Sequence, residues 1–109
     1  MPAYRFGDIL ILNFPFAEGN SSKRRPVMVI LDTEDGDLLI SKITSKKYSS
    51  LFDQEIIEWQ CANLLTYSVV RVHKIQTVSS NLIFCKIGNL HPVERKAIRH
   101  KLVKLIMKI

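Results

Sequence analysis

Cysteine, proline and glycine are all scarce in this sequence, and the scarcity of cysteine excludes several kinds of site. Among 109 residues there are two cysteines, four prolines and four glycines. Cys61 and Cys85 form no C-x-x-C pair and no cluster with histidine at metal-ligand spacing, so we expect reduced thiols, no metal and no cofactor. No apolar run reaches the roughly 18 residues of a membrane helix, and no apolar leader opens the chain. We therefore expect a cytoplasmic protein with no membrane partner.

Acidic residues are also few, and the resulting positive charge is unevenly distributed. Ten Asp plus Glu face sixteen Lys plus Arg, for a formal net charge of +6. The segment 91–109 alone carries a net +5, from six basic residues against Glu94, which leaves +1 for the rest. A basic balance of this kind suggests a polyanionic partner.

The order of apolar runs predicts a mostly β protein with a single domain over residues 1–109. The Asp35-Gly36 pair predicts a tight hairpin between two of the strands. Six short strands favour a small, strongly bent sheet or barrel. The predicted strands are residues 8–14, 27–32, 38–44, 54–59, 68–72 continued by 75–78, and 82–87.

The remaining segments are predicted as two polar loops, a link and a C-terminal helix. Residues 17–25 and 45–53 are polar, and residues 60–65 form either one helical turn or an irregular link. Pro92 suits the first position of a helix and Glu94 suits its N-terminal dipole. Apolar residues at three- and four-residue spacing predict one stripe against the barrel, with the basic residues on the other face. The stripe consists of Ala97, Ile98, Leu102, Leu105, Ile106 and Ile109.

Taken in order, several short motifs resemble the PemK/MazF-type toxins of bacterial type II toxin–antitoxin systems. The combined order and spacing is more specific than any one motif, and the resemblance covers nearly the whole chain. The motifs are Gly7-Asp8-Ile9, Phe14-Pro15-Phe16, Gly19, Lys23-Arg24-Arg25-Pro26-Val27, Ile43-Thr44-Ser45, Leu64-Leu65, Ser68-Val69-Val70-Arg71-Val72, Lys74-Ile75 and Gly88-Asn89-Leu90.

This resemblance implies a fold, an activity and partners. The implied fold is a small SH3-like β-barrel of the CcdB/PemK type with a C-terminal helix, usually as a homodimer. The implied activity is that of an mRNA interferase, a metal-independent endoribonuclease that cleaves single-stranded RNA, mRNA in particular. A cognate antitoxin protein would bind the dimer and block the site. By position, the catalytic arginine and threonine of the family correspond to Arg25 and Thr44.

The chemistry of RNA cleavage agrees with those two roles. When the 2′-hydroxyl attacks the adjacent phosphate, the enzyme must remove a proton, stabilise the phosphorane and protonate the leaving oxygen. A guanidinium presents planar donors to the non-bridging oxygens, and a threonine hydroxyl adds one hydrogen bond. Arg25 precedes a proline and is therefore extended. Because arginine is a poor proton shuttle, the firmer role of Arg25 is electrostatic stabilisation. The loop at residues 19–25 is expected to close over the RNA.

Other polar residues are candidates for binding RNA, and each also has a plainer interpretation as solvated surface. The predicted RNA-binding residues are Lys23, Arg24, Ser45, Lys46, Lys47 and Arg71, while Lys42 and Lys74 fit either interpretation. Phe16 and Trp59 could stack a base, or pack in the core or a dimer contact. Of the three histidines, only His73 could join a site.

One departure from the family pattern keeps other functions open. Many relatives carry Glu or Gln between the loop glycine and the Arg-Pro pair, whereas residues 20–24 here contain neither. Glu18 is the nearest substitute. A non-catalytic toxin-like binding module, including a gyrase inhibitor on the same fold, is therefore the alternative function, and a structural adaptor is a third.

Overall fold

Six antiparallel strands form one sheet, and a C-terminal helix packs against it. The computed structural model describes residues 2–15 and 22–109. Its elements are β1 (Asp8–Pro15), β2 (Ser22–Asp32), β3 (Asp37–Thr44), β4 (Asp53–Ile56), β5 (Ser68–Ser79), a 3₁₀ turn (Ser80–Leu82), β6 (Ile83–Asn89) and α1 (Pro92–Met107). The prediction of a mostly β protein with about six strands and a C-terminal helix is confirmed.

The sheet is open, so it differs from a closed barrel. Its strand order is β4-β5-β3-β2-β1-β6, and within the described residues no ladder joins the edge strands β4 and β6. Shifts of register interrupt the β1–β6, β2–β3 and β3–β5 ladders. Such bulges bend strands locally and increase their twist.

Two predicted boundaries are wrong by three residues or more. β2 begins at Ser22 and not at residue 27, because the polar segment Ser22–Arg25 pairs with Leu12–Pro15 of β1. The predicted loop at 17–25 is therefore part strand. β4 ends at Ile56 and not at Trp59, since the backbone N–H groups of Ile57 and Glu58 donate to Glu94 at 2.5 and 3.2 Å. Turns follow, so the link at 60–65 is irregular.

A bulge of three residues interrupts β5, which is otherwise one continuous strand. Ser41 pairs with Ile75 and the next residue, Lys42, pairs with Arg71, so residues 72–74 have no partner on β3. The Val72 N–H donates to the Phe52 carbonyl at 3.0 Å, and the buried Ser41 hydroxyl donates to the Val72 carbonyl at 3.0 Å. Two long-range hydrogen bonds thus fix the shape of this bulge.

Both faces of the sheet bury apolar side chains, which explains why the strands are almost continuously hydrophobic. Side chains alternate between faces along each strand, so neighbours such as Ile9 and Leu10 belong to different clusters. The cluster on the helix side includes Ile9, Met28, Ile43, Ile56, Val70, Val72, Leu90 and Ile98. The cluster on the other face consists of Leu10, Leu12, Val27, Val29, Leu38, Ile40 and Val78.

The helix is less deeply packed than its apolar stripe predicts. Pro92 occupies the first turn as predicted, and His91 is the N-cap, its Nδ1 accepting from the Val93 N–H at 3.2 Å. Only Glu94 and Ile98 of α1 are buried, whereas Ile106 is 59% exposed. The last two residues of the stripe, Ile106 and Ile109, therefore face outward. Within the described residues, no helix has the length and apolar character needed to span a membrane.

Candidate nucleic-acid interface

A groove of about 510 Å³ opens where β2 and β3 separate. The two strands pair from Asp32 opposite Leu38 as far as Val27 opposite Lys42. Beyond that point β2 continues along β1, and β3 continues along β5. Pro26 has no backbone N–H to donate, so it suits the point at which a strand loses a neighbour.

The groove is strongly positive. Among the described residues that line it, six are basic and none is acidic. The basic residues are Lys23, Arg25, Lys42, Lys46, Arg71 and Lys74, and the rest of the lining is Phe14, Pro26, Val27, Ile43, Thr44, Tyr48 and Gln76. A positive channel with aromatic rings is the arrangement that tracks a single nucleic-acid strand.

Arg25 and Thr44 lie on facing sides of this groove. Continuing the β2–β3 register beyond Val27 and Lys42 would set Arg25 opposite Thr44. The Arg25 side chain is exposed and makes no hydrogen bond or salt bridge with any described residue. Its guanidinium donors are therefore available to an anion in the groove.

The Thr44 hydroxyl is oriented by the backbone after β3. The Lys46 N–H donates to Thr44 Oγ1 at 3.1 Å, so one lone pair of that oxygen is used. A hydroxyl has one proton to donate in addition to its two acceptor positions. The Thr44 proton thus remains available to a ligand oxygen in the groove.

Arg71 is held from two sides. Its Nε donates to Asp53 Oδ1 at 2.9 Å, and its guanidinium lies 3.7 Å from the centroid of the Tyr48 ring. Asp53 also accepts the Ser50 N–H and hydroxyl at 2.9 and 2.6 Å, and Lys101 Nζ donates to the Asp53 carbonyl at 2.6 Å. Burial opposes ionisation of Asp53, but the hydrogen bonds from Ser50 and Arg71 outweigh it and keep the pKa of this carboxyl below 3.8.

The structure brings five of the eight predicted site residues into the groove and leaves three outside it. Arg25, Thr44, Lys23, Lys46 and Arg71 line it. Ser45 and Lys47 are exposed on the following loop but do not line the groove. Arg24 alternates to the other side of β2, with its guanidinium 3.7 Å from the Phe84 ring and its Nε donating to Asn13 Oδ1 at 3.2 Å.

The other candidates from the sequence lie apart from the groove or outside the described residues. Trp59 packs against the core, which was one of its two interpretations. His73 is half-buried beside Phe52, with ring centroids 6.2 Å apart, and does not line the groove. Phe16, Glu18 and the loop positions 19–21 lie outside the described residues.

Sequence reasoning did not single out several residues of the groove. Lys42 and Lys74 fitted a solvated surface equally well, and Phe14, Tyr48 and Gln76 were not considered as ligands. The β-bulge at residues 72–74 includes Lys74, and no local pattern predicts it because its hydrogen bonds come from Ser41 and Phe52, far away in sequence. The described part of the chain contains no cluster of three His, Cys, Asp or Glu suited to a metal.

Comparison with known proteins gives a family match and several structural matches. The family model described as PemK-like, MazF-like toxin of type II toxin-antitoxin system matches residues 5–106. A MazE–MazF structure from Deinococcus radiodurans has a TM-score of 0.78 at 19% identity, over 95% of this chain and 96% of that one. No curated protein sequence matches this chain.

Mycobacterial structures are similar at the level of fold. One described as an endoribonuclease from a mycobacterial species has a TM-score of 0.75 at 12% identity, over 98% of this chain and 94% of that one. Mycobacterium tuberculosis toxin MazF-mt6 has a TM-score of 0.70 at 17% identity, over 90% of this chain and 96% of that one. At these identities the likeness establishes the shared fold.

Proposed function

Because this chain belongs to the family of PemK-like, MazF-like toxins of type II toxin-antitoxin systems, we propose that it is a metal-independent endoribonuclease. Its substrate in this proposal is single-stranded RNA, mRNA in particular. The observation that carries the proposal is the groove, in which Thr44 lies among six basic side chains, Arg25 included, with no acidic residue in the described lining. The similar structures described as an endoribonuclease and a toxin add support.

The proposed reaction is attack by a ribose 2′-oxygen on the adjacent phosphorus. The O2′–P bond forms, the P–O5′ bond breaks, the 2′-hydroxyl loses its proton and the departing 5′-oxygen gains one. The products are a 2′,3′-cyclic phosphate and a 5′-hydroxyl. In this scheme the Arg25 guanidinium stabilises the extra charge on the phosphorane, and Thr44 donates its free proton to a non-bridging oxygen.

The other basic residues bind the RNA in this proposal. Lys23, Lys46 and Arg71 contact phosphates within the groove, with Lys42 and Lys74 beside them. In this proposal, RNA beyond the edge of the groove contacts Arg24, Ser45 and Lys47. The Tyr48 ring is covered on one face by Arg71, which limits its use as a stacking platform to the other face.

The proposal includes an antitoxin and a second copy of the chain as partners. One similar structure is described as an endoribonuclease with its cognate antitoxin, and another as MazE–MazF. A basic groove is complementary to an acidic segment of such a partner. Exposed apolar residues on α1, Val103, Ile106 and Met107, offer a surface for the homodimer.

The decisive experiment incubates the purified protein with a long single-stranded RNA in EDTA. We expect cleavage by the wild type, and loss of about 100-fold or more in Arg25→Ala, as for removal of a donor to a developing oxyanion. Lys104→Ala, which removes an exposed charge outside the groove, serves as the control. No cleavage by the wild type, or equal cleavage by Arg25→Ala, would refute the proposal.

A second candidate function is a non-catalytic RNA-binding module on the same fold. The absence of histidine and carboxylate from the described lining of the groove favours it, since those groups are the usual proton acceptors at neutral pH. Binding of RNA in a gel-shift experiment, without cleavage of that RNA, would establish this alternative. Inhibition of DNA supercoiling by gyrase would instead indicate that the protein is a gyrase inhibitor on the same fold.

A further inference from the structure

A second cavity, of about 520 Å³, lies outside the groove and is also basic. Its lining consists of Arg5, Phe6, Pro92, Arg95, Lys96 and Arg99, so four of its six residues are cations. Arg5 and Phe6 precede β1, whereas Phe14 of the groove lies near the end of that strand. Phe14 follows Phe6 by eight residues, so even a fully extended chain would place them at most about 26 Å apart.

The cations of this second cavity have no acidic partner among the described residues. The salt bridges between described residues are Arg71–Asp53 and Lys86–Asp8, and neither involves a residue of the cavity. Asp8 is the nearest acid in sequence to Arg5. Its carboxylate accepts the Arg5 backbone N–H at 2.9 Å and lies 3.3 Å from Lys86 Nζ, so it is already engaged.

Two of the arginine side chains contact the segment that precedes β1. The Arg95 side chain lies against the backbone of Gly7, where a Cβ would come within 2.4 Å of Arg95 Cδ. The Arg99 guanidinium lies 4.9 Å from the centroid of the Phe6 ring. Arg95 and Arg99 are four residues apart on α1, and like charges at that spacing destabilise a helix. The positive charge is thus concentrated and partly preorganised without internal compensation.

We propose that the second cavity binds the phosphodiester backbone of the same RNA strand, beyond the segment held in the groove. This inference rests on the proposed function for the identity of its ligand. Three of the four cations are arginines, whose planar donors match phosphate oxygens. Bases that leave the groove can also stack on guanidinium planes such as that of Arg99. An acidic peptide has no such aromatic face, so RNA fits the cavity better.

The experiment measures binding of two uncleavable 2′-O-methyl oligonucleotides by fluorescence anisotropy over a range of salt concentrations. One has about 3 nucleotides and fills only the groove, while the other has about 20 and can reach the second cavity, at roughly 3.4 Å per nucleotide. The test variant is Arg5→Gln/Lys96→Gln, which changes two exposed side chains. Its matched control is Lys104→Gln/Lys108→Gln, which removes the same charge from the far end of α1.

We expect the test variant to bind the long oligonucleotide about 25-fold more weakly at ~0.1 M salt, with the salt slope reduced by about 1.4, because each single-strand phosphate contact contributes about 0.7. Binding of the short oligonucleotide should stay unchanged, and the control variant should behave like the wild type. Equal effects of the two variants, or equal effects on both oligonucleotides, would overturn the inference.

Two further outcomes separate this inference from the proposed nuclease activity. If the wild type cleaves no RNA but the difference between long and short oligonucleotides persists, the second cavity remains an RNA-binding site and only the nuclease proposal fails. If cleavage occurs but the test variant loses affinity for polyglutamate and not for the long oligonucleotide, the cavity is a peptide site and the inference is wrong.

Discussion

The Nε atom of Arg71 donates a 2.9 Å hydrogen bond to Oδ1 of Asp53, whose side chain is only 1% exposed. The contact joins β5 to the first residue of β4, the edge strand of the sheet. It also leaves the guanidinium at the wall of the groove, against Tyr48. Arg71 therefore contributes to the stability of the sheet edge as well as to the positive charge of the groove.

Replacing Asp53 with asparagine should destabilise the protein by about 2 kcal/mol at neutral pH, since a charge-assisted hydrogen bond is worth roughly 1.5–3 kcal/mol. Ser50 and Arg71 would both lose an ionised acceptor. Urea denaturation of Asp53→Asn and the wild type measures the difference. Asp37→Asn, at a carboxylate that accepts no hydrogen bond from a described residue, is the control.

The same pair predicts a pH dependence of stability. Because the pKa of Asp53 is lowered in the folded protein, its contribution is fully present above the ordinary value of 3.8 and is lost as the pH falls through the folded value. The difference in unfolding free energy between Asp53→Asn and the wild type should therefore shrink as the pH falls below 3.8. A difference that grows under acid conditions would contradict the assigned direction of the pKa.

Replacing Thr44 with valine should lower RNA cleavage by about 100-fold, because it removes one donor to the developing charge on the phosphate. Thr44→Ser keeps the hydroxyl and should retain activity within about 10-fold. Initial cleavage rates of a labelled RNA in EDTA, with thermal unfolding as a check on the fold, provide the measurement. Equal losses in both variants would show that the hydroxyl proton is not used.

Gly7 and Gly36 offer a matched pair of backbone substitutions. Both have positive φ, +90° and +92°, but only a Cβ at Gly7 meets another side chain, at 2.4 Å from Arg95. Gly36→Ala should cost about 1–2 kcal/mol for left-handed backbone strain alone. Gly7→Ala should cost more, about 3 kcal/mol, because the Arg95 stem must move. Similar losses in chemical denaturation would indicate that Arg95 moves freely.

A charge introduced among the outward apolar residues of α1 should dissociate the proposed homodimer. Val103 and Met107 are 54% and 79% exposed and lie one turn apart. Met107→Glu should give a monomer in sedimentation analysis at concentrations where the wild type is dimeric. Leu65→Glu, which introduces the same charge at a leucine that is 97% exposed and lies outside α1, is the control. If Met107→Glu sediments with the same mass as the wild-type dimer, the dimer uses another surface.

Local patterns were sufficient for the type and order of the elements but not for their ends. The apolar run at 8–14 predicted β1, and the Pro92 signal predicted the start of α1, because both depend on neighbouring residues. Ser22–Arg25 were predicted as a loop because their side chains are polar, yet they extend β2 through pairing with β1. Glu94 ends β4 from 36 and 37 residues away, which no local pattern reveals.

The amino-acid sequence alone was enough to predict a mostly β protein from its hydrophobic patterning and the family from the order of its motifs. That resemblance in turn implied the pair Arg25 and Thr44, whose role stays a prediction. Only the tertiary structure could group Lys42 and Lys74 with that pair and separate Arg24 from it. Consecutive residues of a strand point to opposite faces of the sheet. Residues from different strands can lie side by side in space although they are far apart in the sequence. The register of β2 and β3 and the bulge in β5 are products of long-range pairing, and they determine which charges share the groove.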